Sequence, residues 1–228
     1  MESVHLLDNP VWHSLTGPHA HLAIGSTLAK RYLPEVSFGV GVANQSDAAF
    51  AELAQLIPAG EVIGIGQIKL PESFPGWQTH EVFMADQMVC QQNISESFPT
   101  EDIIALTAAD VPDMERLVDM ARPGPFTPRS IEMGRFFGIR QGGELVAMAG
   151  ERMQPPGYRE ICTVCTHPDW QGKGFARRLV GLLVQENWQA GTVPFLHVDP
   201  ENTTAVRLYA RLHFSRRDAL KILFLSHA

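Results

Sequence analysis

The chain has 228 residues, 45% of them hydrophobic, enough for one large domain or two small ones with a proper core. Its formal net charge of −7 argues against a nucleic-acid partner, which leaves a basic footprint. Cys90, Cys162 and Cys165 are too few for a disulfide framework, no basic-then-apolar leader opens the chain and no apolar run reaches membrane-spanning length, so a cytoplasmic protein with no membrane partner is expected.

Residues 1–99 read as an N-terminal α/β half. The stretch 36–42 is β-rich, and Ser46 is placed to N-cap a helix that carries Ala49, Phe50, Leu53, Leu56 and Ile57 on one face. Residues 61–68 and 80–90 read as further strands, with Gly64 and Gly66 marking a bulge or a close approach. His13, His19 and His21 have no carboxylate or cysteine at supporting spacing; they read as surface or packing residues, and no metal is expected. The polar stretch 91–100, with Pro99 near its end, is the natural linker.

The second half opens with a strand at 103–107. A helix follows from Asp110 through Met114, Leu117, Val118 and Ala121, with acids in its first turn. The proline-rich run 122–128 stops it. Strands at 135–140 and 144–150 are joined by Gln141-Gly142-Gly143, a hairpin signal, and a turn at 155–157 leads into the strand Glu160–Thr166. Cys162 and Cys165 lie three apart on that strand, so they are expected on opposite faces as packing residues; Glu160 and Val164, four apart, are expected on the same face. A glycine-bearing turn at 167–174 then feeds a helix with Ala176, Leu179, Val180, Leu183 and Val184 at helical spacing, and Val193–Val198 is the next strand. An antiparallel meander followed by a strand–helix–strand crossover, which demands a parallel pair, gives an α/β fold with a mixed sheet and helices on both faces.

The turn suits an anion, because free amides at a helix start and the helix dipole favour negative charge, and glycines allow close approach. It is neither a P-loop nor a dinucleotide fingerprint: Gly174 and Phe175 follow Lys173, and no third glycine stands at the right spacing. Gln171-x-x-Gly174-x-Ala176 instead resembles the pyrophosphate turn of the GNAT superfamily of acyl-CoA-dependent N-acyltransferases. Asn202-x-x-Ala205-x-x-Leu208-Tyr209, followed by Leu212-His213-Phe214, resembles that family's second signature at the expected distance. The resemblance is closest to the branch that includes glycine N-acyltransferase-like proteins and spans roughly residues 100–228. The division is therefore a GNAT domain at 100–228 and an additional half at 1–99, readable as a degenerate GNAT copy without a clear internal repeat.

The resemblance implies acetyl-CoA as co-substrate and an amine acceptor, a small molecule or a peptide; self-association as a homodimer is left open. Gln171, Gly172, Lys173, Gly174, Phe175, Ala176 and Arg177 would contact the coenzyme, with Lys173, Arg177 and Arg178 supplying local positive charge. Val164 and Thr166 would pair with the pantetheine arm, the Val164 N–H facing the acyl carbonyl, and Asn202 would touch the arm or simply N-cap its helix. Glu160 would act as general base, directly or through water, and Tyr209 would protonate the departing thiolate. Phe126 and Arg129 are expected in the acceptor pocket. The family glycine is replaced by His213 at a helix C′ site, where a left-handed conformation is common. Competing readings are a non-catalytic CoA-binding or interaction module, and a transferase using a longer acyl-CoA with an amino-acid acceptor.

Overall fold

A computed structural model describes residues 5–71 and 73–228. In chain order the main elements are α1 (Pro10–Leu15), β1 (Ala23–Gly25), β2 (Ala29–Tyr32), β3 (Gly39–Val42), α2 (Asp47–Leu56), β4 (Ile63–Gln67) and β5 (Trp77–Cys90). They continue with β6 (Ile103–Leu106), α3 (Val111–Ala121), β7 (Phe136–Gln141), β8 (Glu144–Glu151), β9 (Tyr158–Thr166), α4 (Phe175–Gln189), β10 (Val193–Val198), α5 (Thr203–Arg211) and β11 (Phe214–His227). All strands join one eleven-stranded sheet, ordered β1-β2-β3-β4-β11-β5-β10-β9-β8-β7-β6.

That order shows two similar halves that trade strands. On one side, the meander β6-β7-β8-β9 leads into the parallel crossover β9-α4-β10; on the other, β1-β2-β3 leads into the parallel crossover β3-α2-β4. The last strand of each half lies against the other half: β5 pairs with β10, and β11 pairs with β4. The two exchanged strands pair with each other along nearly their whole length, from Phe214↔Cys90 to His227↔Trp77. The eleven-stranded sheet runs unbroken across the division expected at 99/100.

Local chemistry sets the elements as the pattern suggests. Ser46 Oγ accepts from the Ala49 N–H at 3.3 Å and caps α2. Gly142 and Gly143, both at positive φ, make the two-residue turn between β7 and β8. His213 follows α5 with φ 64°, the left-handed conformation expected there. Helices α4 and α5 cover one face of the C-terminal half through Leu179, Val180, Leu183, Val184 and Tyr209, and α3 covers the other through Met114 and Leu117. Residues 91–100 have no regular structure but are not a slack tether. Ile94 and Phe98 are buried on α4, and Gln185 donates to the carbonyls of Ile94 and Glu96. The short strand β2 carries no signal in the sequence reading, because Ala29-Lys30-Arg31-Tyr32 has no β-branched alternation.

Candidate active site

Strand β9 carries the first irregularity of the site. Its register against β8 passes from Met148↔Cys165 to Gly150↔Cys162, so two residues, Thr163 and Val164, oppose Ala149. Thr163 has φ 50°, a left-handed conformation that is costly for a β-branched residue. A bulge inserts one extra residue and shifts every later side chain to the other face. Two sequence expectations fall with it. Cys162 and Cys165 pack in the same cluster against α3, both as free thiols whose burial pushes their pKa up to about 12. Val164 joins Ile161 on the α4 side, so it does not share a face with Glu160.

The second irregularity is a gap between strands. The parallel pairing of β9 and β10 runs only from Tyr158↔Val193 to Glu160↔Phe195. Beyond it the strands part, leaving residues 161–166 of β9 with no strand partner on that side. Val164 and Thr166 border the opening together with Gln171, Asn202, Ala205 and Tyr209, all lining one cavity of about 650 Å3.

The glycine turn starts at Gln171, which borders this opening. Gly172 and Gly174 sit at φ 75° and 80°, with open space where a Cβ would stand, and Gly174 is the N-cap of α4 without any side-chain cap. The first amides of α4 are therefore without an intrahelical or side-chain acceptor. This donor set, with room beside it, fits a pyrophosphate. Lys173 stacks its Nζ 3.9 Å from the Trp170 ring and has no carboxylate partner among the described residues. The other expected cations are committed elsewhere: Arg177 pairs with Glu96 and Arg178 with Asp102. Phe175 turns inward to the core, so its side chain is structural and only its backbone faces the turn. Asn202 does what its alternative reading required: its Oδ1 accepts from the Ala205 N–H at 3.1 Å and caps α5, while the residue still borders the cavity.

Glu160 is not placed as a base. It is 1% exposed, and its Oε2 accepts from Arg152 Nε at 2.9 Å and the Met153 N–H at 3.2 Å; its Oε1 accepts from Arg152 Nη2 at 2.9 Å and His197 Nδ1 at 2.8 Å. Two donors on each oxygen fill the lone-pair capacity of a carboxylate. Burial alone would push its pKa up, but the Arg152 guanidinium and the His197 ring hold the carboxyl well below the usual carboxylate range. The general-base expectation is corrected accordingly: Glu160 locks the strand ends where β9 and β10 part. His197 is fixed in turn. Arg217 Nη1 donates to Gln87 Oε1 at 2.8 Å, which turns the Gln87 amide nitrogen toward His197 Nε2 at 3.0 Å. His197 Nε2 must then accept, so Nδ1 carries the proton donated to Glu160. Sequence reading missed this chain; its one signal was His197 within the otherwise apolar strand Val193–Val198.

Tyr209 is 8% exposed and lines the cavity, and its hydroxyl has no protein hydrogen-bond partner among the described residues. Burial, with Cys162 and Cys165 nearby, raises its pKa, so it stays a proton donor at neutral pH. Phe126 and Arg129 leave the site. Phe126 packs edge-on to Phe136 with centroids 5.9 Å apart, and Arg129 pairs with Glu132 and Glu35 at the surface. Their neighbours Arg122 to Pro125 border the cavity instead. His19 is a packing residue held between the Tyr32 hydroxyl and the Met133 carbonyl, each 2.9 Å away. No group of three His, Cys, Asp or Glu that could hold a metal occurs among the described residues.

The N-terminal half has the corresponding opening, and the chain fills it. β3 and β4 pair only at Gly39↔Gly64 and Val40↔Ile65. Beyond that, Asn9 Nδ2 donates to the Val42 carbonyl at 2.8 Å, the Ile68 N–H donates to the Asp8 carbonyl at 2.9 Å, and the Trp12 backbone lies against Gly41. Its crossover helix α2 is already capped by Ser46.

With this geometry in view, known proteins supply the family. A crystal structure of a GNAT-family protein from Novosphingobium aromaticivorans DSM 12444 is 34% identical, covering 99% of this chain and 100% of that one with a TM-score of 0.90. The chain belongs to the GNAT family of acetyltransferases. The FR47-like protein family matches residues 136–222, within the half where the motifs lie. N-alpha-acetyltransferase RimI of Mycobacterium tuberculosis is 37% identical over 84 residues, 36% of this chain and 52% of RimI, so the match spans about half that curated relative. A GCN5-related N-acetyltransferase from Kribbella flavida shares the fold over 97% of this GNAT chain and 96% of its own, with a TM-score of 0.63 at 17% identity. GNAT acetyltransferases use acetyl-CoA as co-substrate, and the uncapped turn and parted strands fit it. None of the described helices is long and apolar enough to cross a membrane.

Proposed function

We propose that this GNAT protein moves the acetyl group of acetyl-CoA to a primary amine. The observation that carries the reading is one cavity that takes in Gln171 at the start of the uncapped turn, the open edge of β9 at Val164 and Thr166, and Tyr209. The turn amides and Lys173 would take the pyrophosphate, and the unpaired edge around Val164 and Thr166 would receive the pantetheine amides as a neighbouring strand would. The Val164 N–H in the bulge would face the thioester oxygen as charge grows there. The amine nitrogen bonds to the acetyl carbon, the carbon–sulfur bond breaks, and Tyr209 gives its proton to the sulfur. The amine must arrive neutral, and its proton leaves to water rather than to the saturated Glu160.

Acetyl is the donor that the GNAT acetyltransferase family brings to this reading. The glycine N-acyltransferase-like branch would bring longer donors. The RimI relative's name specifies an α-amine, so an amino acid or a peptide N-terminus belongs among the acceptors to try, and a cytoplasmic location belongs to the same reading. The test is release of CoA thiol from acetyl-CoA across a panel of amines, with the acetylated product seen by mass spectrometry. Acetyl-CoA binding without thiol release to any amine would mean a binding module instead of an enzyme.

A further inference from the structure

We infer that the acceptor amine is carried on an elongated apolar body, an alkyl or arylalkyl group rather than a polyamine chain. The inference rests on the acetyl-transfer reading and extends it to the part of the cavity that the coenzyme would not use. Past Glu160 and Cys162 the cavity continues across the centre of the sheet, where the exchanged strands meet. Its floor is the ladder Leu220↔Ala85, Ile222↔Phe83 and Phe224↔Glu81, whose alternate residues share one face. Four residue steps, from Leu220 to Phe224, make this floor roughly 13 Å long. Beside it Gly66 and Gly64 of β4 pair with Ile222 and Phe224; the Phe38 ring occupies the space over Gly64, and Leu220 and Ile222 crowd that at Gly66. Phe38 closes the far end, with its ring 5.8 Å from that of Phe224.

The other face of the same strands shows what this floor lacks. Leu223 and Leu225 are fully buried in the α2 cluster, whereas Phe83, Ile222 and Phe224 are only partly covered and border the cavity. The middle of the floor carries no charge. Glu81 stands at its far end, and Glu160 at the near end is saturated by its own donors. A second ammonium laid over Phe83 and Ile222 would lose water there, with Glu81 at the far end the nearest carboxylate on the floor. An apolar body would instead cover apolar surface, at about 0.8 kcal/mol per buried methylene. The same walls disfavour an ammonium relative to the neutral amine.

The test uses the full chain with acetyl-CoA and a series of propylamine, hexylamine, octylamine and 2-phenylethylamine against spermidine and a hydrophilic peptide. The expected result is a rise in kcat/KM of about three- to fourfold per added methylene along the floor, from that burial constant, with spermidine and the peptide poor. Ile222→Thr, which keeps the β-branch, should lower kcat/KM for octylamine about tenfold more than for propylamine and leave acetyl-CoA affinity intact. A flat dependence on chain length, or spermidine as the best acceptor, overturns the inference. So does preference for octanoyl-CoA together with exclusion of octylamine, since the trench would then hold the acyl chain. Calorimetry of octylamine on the protein separates the two levels: binding without turnover of any amine keeps the trench assignment and overturns acetyl transfer. Turnover of other amines without octylamine binding does the reverse.

Discussion

Two residues expected to share the chemistry should respond to mutation in opposite ways. Glu160→Gln leaves Arg152, whose side chain is 30% exposed, beside a neutral amide, so the cost falls below the roughly 3–5 kcal/mol of breaking a fully buried pair. The expected outcome is a fall in the denaturation midpoint. Tyr209→Phe removes a hydroxyl that has no protein partner, so stability should hold within about 0.5 kcal/mol while turnover falls by ~10²–10⁴. Denaturant titration and kcat on the same two variants check both. A Glu160→Gln protein of parent stability with kcat down by that same factor would restore the glutamate as base. The pH profile adds a second readout. If the amine sheds its proton to water, kcat/KM should rise with pH as the acceptor's neutral fraction rises, with no acid limb from a catalytic carboxylate.

At the scale of elements, the turn before α4 was legible because its chemistry is local. Gly172, Gly174 and the helix start stand together in sequence, and the structure keeps them together with both glycines at positive φ. Gly174→Asp should weaken acetyl-CoA binding at least tenfold more than Gly174→Asn, since both residues tolerate the left-handed conformation and only one adds a carboxylate beside the phosphates. Equal affinities by calorimetry would move the pyrophosphate elsewhere. The bulge in β9 was not legible, since nothing in Glu160–Thr166 departs from a plain strand pattern; the extra residue is visible only against β8. One residue of slippage was enough to misplace Glu160 against Val164. Thr163→Gly tests the bulge directly. A glycine ordinarily weakens a strand by roughly 0.5–1 kcal/mol, whereas relief of the φ 50° conformation should make this variant neutral or about 1 kcal/mol more stable by chemical denaturation. The pocket residues Phe126 and Arg129 failed for a similar reason. The proline-rich loop was recognised, but which of its side chains face the cavity depends on how the loop packs against β7.

At the scale of the molecule, the sequence motifs end at residue 100 while the fold does not. The exchange of β5 and β11 puts both floor strands of the trench across the boundary, and the chain's own N-terminal segment plugs the sister opening between β3 and β4. A C-terminal half expressed alone would leave β10 without β5 and β11 without either neighbour, exposing long strand edges and the Phe195 and Leu223 cores. His19 reads out the joint between the halves, since it bridges Tyr32 of the first to the Met133 carbonyl of the second. Burial lowers its pKa from 6.5 to about 4. A group with a depressed cationic pKa binds fewer protons in the folded than in the unfolded state between those two values, so stability falls as pH drops through that window. The full shift corresponds to about 3 kcal/mol, with most of it lost by pH 4. Urea midpoints measured between pH 7 and 4 should therefore decline more steeply for the parent than for His19→Gln, which keeps a donor and an acceptor and does not titrate. Parallel curves for the two proteins would show that the buried histidine does not govern the joint, and that acid loosening begins at another contact between the halves.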